Sequence, residues 1–198
     1  MHLLLNTTSP YARLARIALA EKGITDVSTD VVDPWADPPR LREFNAASRV
    51  PTLVAEERWP LTESLLIVMW LERERPAPSL LGPAALAVVS RAGIAMGAID
   101  AAVHTLIGRK TAGASFDTDP VGLRRRRTMV ESLQRLDGDP PPYAGDTPSL
   151  DAIAAIVALD YIDFRFPQAP WLPDLPALRA LQARLSERAS FAASRPRN

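Results

Sequence analysis

Along the first eighty residues, short apolar runs alternate with segments whose apolar positions recur at helical spacing. Residues 3–5 are three leucines that give way to Asn6-Thr7-Thr8-Ser9-Pro10. This predicts a buried strand passing into a helix capped by Ser9, with Pro10 at its first position. Leu14, Ile17 and Ala18 carry that helix to Gly23, where a glycine can end it. Residues 27–32 read as a second strand, 33–39 as a proline-rich turn and 40–45 as a short helix. Two short strands follow at 51–54 and 59–61, around the polar turn Glu56-Glu57-Arg58. Leu66, Ile67, Trp70 and Leu71 then mark a helix over 63–75. The predicted order is β-α-β-α-β-β-α.

The pattern changes at Pro76-Ala77-Pro78, which reads as a stiff extended linker. Beyond it no strand is expected. An alanine-rich helix over 83–110 is followed by helices over 123–136, 149–164 and 175–185 and a short helical tail. The segment 149–164 is apolar nearly all round, so it is the expected central helix of an all-α bundle. Domains are therefore expected at 1–76 and 83–198.

Composition narrows the chemistry. Lys plus Arg number 23 and Asp plus Glu 23, so the formal charge is zero. That balance argues against a nucleic-acid partner held through many phosphates. No cysteine is present, which excludes disulfide frameworks, thiolate metal sites and any mechanism using a protein thiol. The three leucines near the start lack a basic region before them, so no signal peptide is read there. The most apolar stretch, residues 93–108, is interrupted by Asp100 and His104, whereas a membrane span needs about 20 apolar residues. A soluble cytoplasmic protein without a membrane partner is the expectation. Glycine-rich nucleotide loops and the G-x-S-x-G elbow are absent, and His2 and His104 lie in separate elements, so no metal site is expected. Four consecutive arginines at 124–127 would spread around a helix, as a solvated face or in a surface ion-pair network. The Gly93-x-x-x-Gly97 spacing predicts close helix packing.

Three motifs carry candidate chemistry. Thr8-Ser9-Pro10-Tyr11-x-Arg13-x-x-Arg16 is either an ordinary helix cap or an anion site, because a hydroxyl there stands beside free backbone N–H groups and the positive end of the helix dipole. Arg49-Val50-Pro51-Thr52-Leu53 is either a strand that starts on a proline or a cis-proline turn. The second would aim the Val50 N–H and C=O outward to pair with a peptide-like ligand. Leu61-Thr62-Glu63-Ser64 is either plain capping or a site where Ser64 takes a carboxylate and Glu63 an ammonium group.

In order and spacing, Ser-Pro-Tyr near residue 10, Val-Pro-Thr-Leu near 50 and Glu-Ser near 64 resemble the glutathione S-transferase family. Tyr161-Ile-Asp-Phe-Arg-Phe-Pro167 with Trp171 resembles a bacterial, serine-type subgroup of it. The resemblance spans essentially the whole chain. It implies an α+β thioredoxin-like N-terminal domain followed by an all-α helical domain that contributes the electrophile site. It also implies glutathione as co-substrate, no metal, a homodimer, and conjugation of the glutathione thiolate to a small electrophile. Ser9 matches the family's activating serine, Val50 the residue whose backbone pairs with the cysteinyl unit, and Pro51 the cis-proline. Glu63 and Ser64 match the binders of the γ-glutamyl end, and Arg49 falls near the glycyl carboxylate. Thr7 and, on the long helix, Met96, Ile99, His104 and Ile107 are candidates for the electrophile side, although a structural role for His104 is the simpler reading. A non-catalytic glutathione-binding or regulatory protein on the same scaffold is the alternative. Two departures stand out. The central helix carries Ser149-Leu150-Asp151, with its acid one place earlier than the family's capping box, and Asn45-Ala46-Ala47-Ser48 lacks the usual proline after Asn, which leaves that loop less rigid.

Overall fold

A computed structural model describes residues 1–55 and 59–197, so the turn expected at Glu56-Glu57-Arg58 lies outside the described residues. The chain forms two compact units, Met1–Leu80 together with Arg188–Asn198, and Leu81–Glu187. In the first unit, the leucines of β1 (His2–Leu5) are buried at the centre of a four-stranded sheet. α1 (Pro10–Glu21) buries Leu14, Ile17 and Ala18 on the face that the helical spacing predicted. It leads to β2 (Ser28–Val31), which pairs parallel with β1, as a strand–helix–strand crossover requires. A short α2 (Pro39–Phe44) precedes β3 (Thr52–Val54) and β4 (Leu61–Thr62), both antiparallel additions, giving the order β2-β1-β3-β4. α3 (Ser64–Glu74) packs beside α1. The expected β-α-β-α-β-β-α order is observed.

The segment 76–80 is not a free linker. Lys22, at the C-cap of α1, is the only lysine of the first unit, and its side chain is fully buried. Its ammonium lies 2.5 Å from Glu72 Oε1 and donates to the carbonyls of Arg75 (2.6 Å) and Pro78 (2.9 Å), so all three N–H bonds are used. Glu72 also accepts from the Ser79 hydroxyl (2.8 Å) and the Leu80 N–H (2.9 Å). The clasp closes the end of α3, folds the Pro76-Ala77-Pro78 segment back and buries Leu80.

The last residues depart from the expected boundary at 83–198. α8 (Ala189–Ala193) packs on α1 and buries Phe191 completely. Arg188 pairs bidentately with Glu21 (2.8 and 2.7 Å), and the Ser190 hydroxyl donates to the same carboxylate at 2.5 Å. Arg16 donates to the Ala193 carbonyl at 3.0 Å. These charged contacts, which sequence periodicity does not report, draw the tail into the first unit.

Among its described residues the second unit contains helices and connecting loops but no strand. α4 (Ala85–Ala112) packs against α5 (Pro120–Gly138) and α6 (Leu150–Arg165), and α7 (Pro176–Ser186) completes the group. By length and composition alone α4 could cross a membrane, Asp100 and His104 notwithstanding; its Ala92, Ala95, Ala98 and Ala102 are buried. α6 is buried almost all round, as its sequence predicted. Ser149 is its N-cap, yet the early acid acts differently from a capping box. The buried Asp151 accepts from the Ser149 hydroxyl (2.5 Å), the Ala152 N–H (3.0 Å) and Arg91 Nε (2.7 Å), tying α4 to the start of α6. Close packing by glycine occurs at positions other than the expected pair. Cβ atoms at Gly93 and Gly97 would meet nothing within 4 Å. One at Gly122 would lie 1.8 Å from the Phe116 carbonyl oxygen, and one at Gly108 would lie 2.4 Å from the Phe116 ring. The four arginines diverge as expected: Arg126 donates to the Asp117 carbonyl and lies over Trp171, while Arg127 faces Glu131.

The Lys22–Glu72 clasp sets a pH dependence. Burial alone would raise the Glu72 pKa, but hydrogen bonds from Lys22, the Leu80 N–H and Ser79, with the Lys22 charge, outweigh it and hold the carboxyl below its ordinary value. A carboxyl lowered by folding contributes stability above its unfolded pKa and loses it as the pH falls through the folded value. Lys22→Met leaves Glu72 unmatched and is expected to cost about 3–5 kcal/mol in urea unfolding at neutral pH. Glu72→Gln is expected to flatten the acid limb of the wild-type stability profile.

Candidate functional site

Strand register brings three motifs to one end of the sheet. Thr52 stands opposite Leu4 of β1 on one side and Thr62 of β4 on the other, in antiparallel pairings. The chain leaving β1 toward Ser9, the chain entering β3 through Val50 and Pro51, and the chain leaving β4 through Glu63 and Ser64 therefore share that end. At the first of these exits Asn6 builds a turn. Its side-chain oxygen accepts the Thr8 N–H (3.0 Å) and hydroxyl (2.8 Å), while its carbonyl accepts the Ser9 N–H (3.1 Å). Ser9 then caps α1: its Oγ accepts the Ala12 N–H at 3.2 Å. Among the described residues that Oγ donates to nothing, so its proton is unspent beside the positive end of the helix.

Val50–Pro51 is cis, the second of the two alternatives left open by the sequence. The Val50 side chain joins Leu4, Leu41 and Val54 in an apolar cluster, and its backbone precedes the first paired residue of β3. Glu63 has φ 64 and ψ 119, a region costly for a side-chain-bearing residue by about 1–3 kcal/mol, and strain of this kind gathers at ligand sites. It occupies the N-cap position of α3 without making a side-chain cap, so plain capping does not account for its carboxylate. Ser64 is buried in the first turn, where helix N–H groups lack intrahelical partners. Arg49 Nη1 lies 3.7 Å from Glu63 Oε1, with both side chains more than half exposed. Such a pair is worth about 0–1 kcal/mol, so an ammonium and a carboxylate of one ligand can displace it cheaply.

Other residues of the motifs have structural partners. Thr7 Oγ1 donates to the Arg197 carbonyl at 3.3 Å, and Arg13 is buried with Nε 3.5 Å from Ser194 Oγ, both within the docked tail. Arg16 is held below its ordinary pKa by burial and by the nearby charges of Arg197 and Arg13. In the second unit Met96 is half-buried, while Ile99 is fully buried. His104 is exposed, with Nδ1 2.7 Å from the Asp100 carbonyl one turn earlier. A surface hollow of about 280 Å³, lined by Met1, His2, Arg40, Phe44, Val54 and Ala55, lies by the opposite end of β1 and contains no candidate residue. The supports Asn6, Asn45 and Thr52 were missed in the sequence. The available signal was the Asn in the loops that lead into the first two motifs, Asn6 before Ser9 and Asn45 before Val50.

Residues 8–74 match the family model for the glutathione S-transferase N-terminal domain, and residues 111–181 match the model for its C-terminal domain. The chain belongs to the glutathione S-transferase family. An uncharacterized GST-like protein of Escherichia coli is 31% identical over 141 residues, covering 70% of this chain and 69% of that one. The structure of a glutathione S-transferase from Methylobacterium radiotolerans, in complex with glutathione sulfonate, superposes with a TM-score of 0.88 at 33% identity, covering 100% of this chain and 95% of its own. Another, from Methylobacillus flagellatus with glutathione bound, gives 0.86 at 27% identity and covers 99% of each chain. The glutathione S-transferase fold thus accounts for both units, the small mixed sheet with its helices and the helical remainder.

Within this transferase scaffold, the loop before Arg49 holds a local conflict. Ser48 has φ 51, and its Oγ is buried without a hydrogen-bond partner. A left-handed conformation costs a side-chain-bearing residue about 1–2 kcal/mol, and an orphaned buried hydroxyl adds to that. Ser48→Gly removes both and gives back part through greater unfolded-chain entropy. A net gain of about 1 kcal/mol is expected, read as a higher urea midpoint.

Proposed function

We propose that the protein is a glutathione transferase of the serine type, joining the glutathione thiolate to a small electrophile. The observation that carries the reading is the Ser9 hydroxyl, which accepts the Ala12 N–H at the start of α1 and keeps its own proton to donate. A thiolate opposite that proton gains a charge-assisted hydrogen bond and the field of the helix terminus. Lowering a thiol pKa by one unit needs about 1.36 kcal/mol of preference for the thiolate, which those two effects can supply together. Glutathione bears two carboxylates and one ammonium, and Arg49, Glu63 and the first turn of α3 offer the complementary charges. The Val50 main chain would pair with the cysteinyl unit. The glutathione and glutathione sulfonate bound in the two related structures support this ligand class.

Ser9→Ala is expected to keep glutathione binding while raising the pKa of the bound thiol by about one unit. Conjugation near neutral pH should fall accordingly. Ultraviolet titration of bound thiolate and turnover over a panel of aryl and alkyl halides read the two effects. Full activity in Ser9→Ala would remove that role from Ser9, and glutathione retention by the wild type with no turnover across the panel would assign a binding or regulatory role.

A homodimer is part of the same reading. Leu66 and Met69 on α3 are 53% and 62% exposed, and Leu86 and Val89 on α4 are 86% and 52% exposed. Apolar side chains left open on two helices are what an interface between copies would cover. Sedimentation at micromolar concentration should give twice 21.6 kDa, and Leu86→Glu should shift it toward the single-chain 21.6 kDa; a wild-type monomer would refute the dimer.

A further inference from the structure

We infer that Asn45 and Thr52 are positioning residues of the glutathione site, acting together through the Arg49 carbonyl to aim the Val50 N–H at the ligand. Asn45 is buried at the end of α2, 7% exposed, and Thr52 is completely buried in β3. The Asn45 amide nitrogen donates to the Arg49 carbonyl at 3.0 Å and to Thr52 Oγ1 at 3.1 Å. Thr52 Oγ1 donates its own proton to the same carbonyl at 2.9 Å. The remaining Asn45 groups fasten the loop between: its side-chain oxygen accepts the Ala47 N–H (3.0 Å) and its carbonyl the Ser48 N–H (2.8 Å).

Two donors on one carbonyl fix the plane of the peptide that joins Arg49 to Val50. In a trans peptide the C=O and the following N–H point in opposite directions. A carbonyl held inward by Asn45 and Thr52 therefore turns the Val50 N–H away from them. Thr52 is itself fixed between β1 and β4, so the orientation is referred to the sheet that also sets Ser9 and Ser64. The loop that lacks a proline after Asn45 is thus stiffened by the Asn45 side chain, contrary to the looseness expected from sequence. Pre-setting the donor reduces the ordering cost that a peptide-like ligand meets on binding. The inference rests on the reading of Val50 as the residue that pairs with the cysteinyl unit.

The test compares Thr52→Val, which removes the hydroxyl at nearly constant shape, with Thr52→Ser, which keeps it, and with Asn45→Asp, which removes the donor amide. Glutathione affinity is measured by calorimetry on the full chain, with the folded fraction determined by urea unfolding and the Val50 amide followed by NMR. Thr52→Val is expected to bind about tenfold more weakly, a change of ~1.4 kcal/mol, with Thr52→Ser close to wild type. Where Asn45→Asp folds, its loss should not add to that of Thr52→Val, because both act on one carbonyl. The Val50 amide shift induced by glutathione should shrink in the same variants. Wild-type affinity in a folded Thr52→Val protein overturns this inference and leaves the glutathione reading intact. A wild-type chain that does not bind glutathione overturns both.

Discussion

The row Leu4, Thr52, Thr62 across the sheet is the constraint on which the candidate site depends. Three segments far apart in sequence leave or enter the sheet at the same end only because this register is kept. A slip of one residue in β3, whose residues are buried on both faces, would exchange Thr52 and Leu53 between those faces and set the hydroxyl among the apolar side chains that Leu53 now meets. Leu4, Leu41, Val50 and Val54, packed as one buried cluster, resist that slip. The same side chains that make a small core thus fix where a ligand's charges would be met. With only two residues in β4 and three in β3, hydrogen bonding alone is a weak specification, and side-chain burial must supply most of it.

Charge is used in two different ways across the chain. Lys22 with Glu72, Arg188 with Glu21 and Arg91 with Asp151 are buried or half-buried, multiply hydrogen-bonded, and each joins segments distant in sequence. Arg49 and Glu63 contrast with them, being exposed and 3.7 Å apart. The first group fastens the fold because removing one partner would strand a charge away from water. The second holds little energy, and a zwitterionic ligand can replace it without disturbing the strands and helices behind. A zero net charge is therefore no sign of electrostatic indifference; much of it is committed to fixed pairs.

The β-α-β-α-β-β-α order and the buried central helix were legible because apolar spacing directly reflects which face is dry. Ser9 and Pro10 were legible because capping chemistry is local. Residues whose meaning depends on distant partners were not. Gly93 and Gly97 have the spacing of a packing stripe yet have open space where a Cβ would stand, whereas Gly108 and Gly122, with no motif, are the ones that Phe116 fills. The tail after Glu187 continued a helical pattern, and only its pairing with Glu21 and the burial of Phe191 assign it to the first unit. Asn45 read as part of a loosened loop because a missing proline is visible in sequence and a carbonyl 3.0 Å from an amide is not. The site itself was legible as three motifs, while the groups that orient them were hidden in the tertiary contacts.

The identity of the cap at residue 9 combines a structural and a chemical requirement. Ser, Thr, Asp, Asn and Gly all serve at a helix N-cap, and Asp would satisfy the Ala12 N–H at least as well. An ionised Asp, however, would set a negative charge where the proposed function puts a thiolate, and it has no proton to donate. Glycine would leave the cap N–H unmet and offer no donor. A hydroxyl both accepts from the helix and donates outward, so one atom can close the helix and stabilise an anion in front of it. Because the chain contains no cysteine, any thiolate before Ser9 must arrive with the ligand. On the proposed function the helix terminus would stabilise a visitor's charge rather than one of its own, which favours a neutral, small and proton-bearing cap.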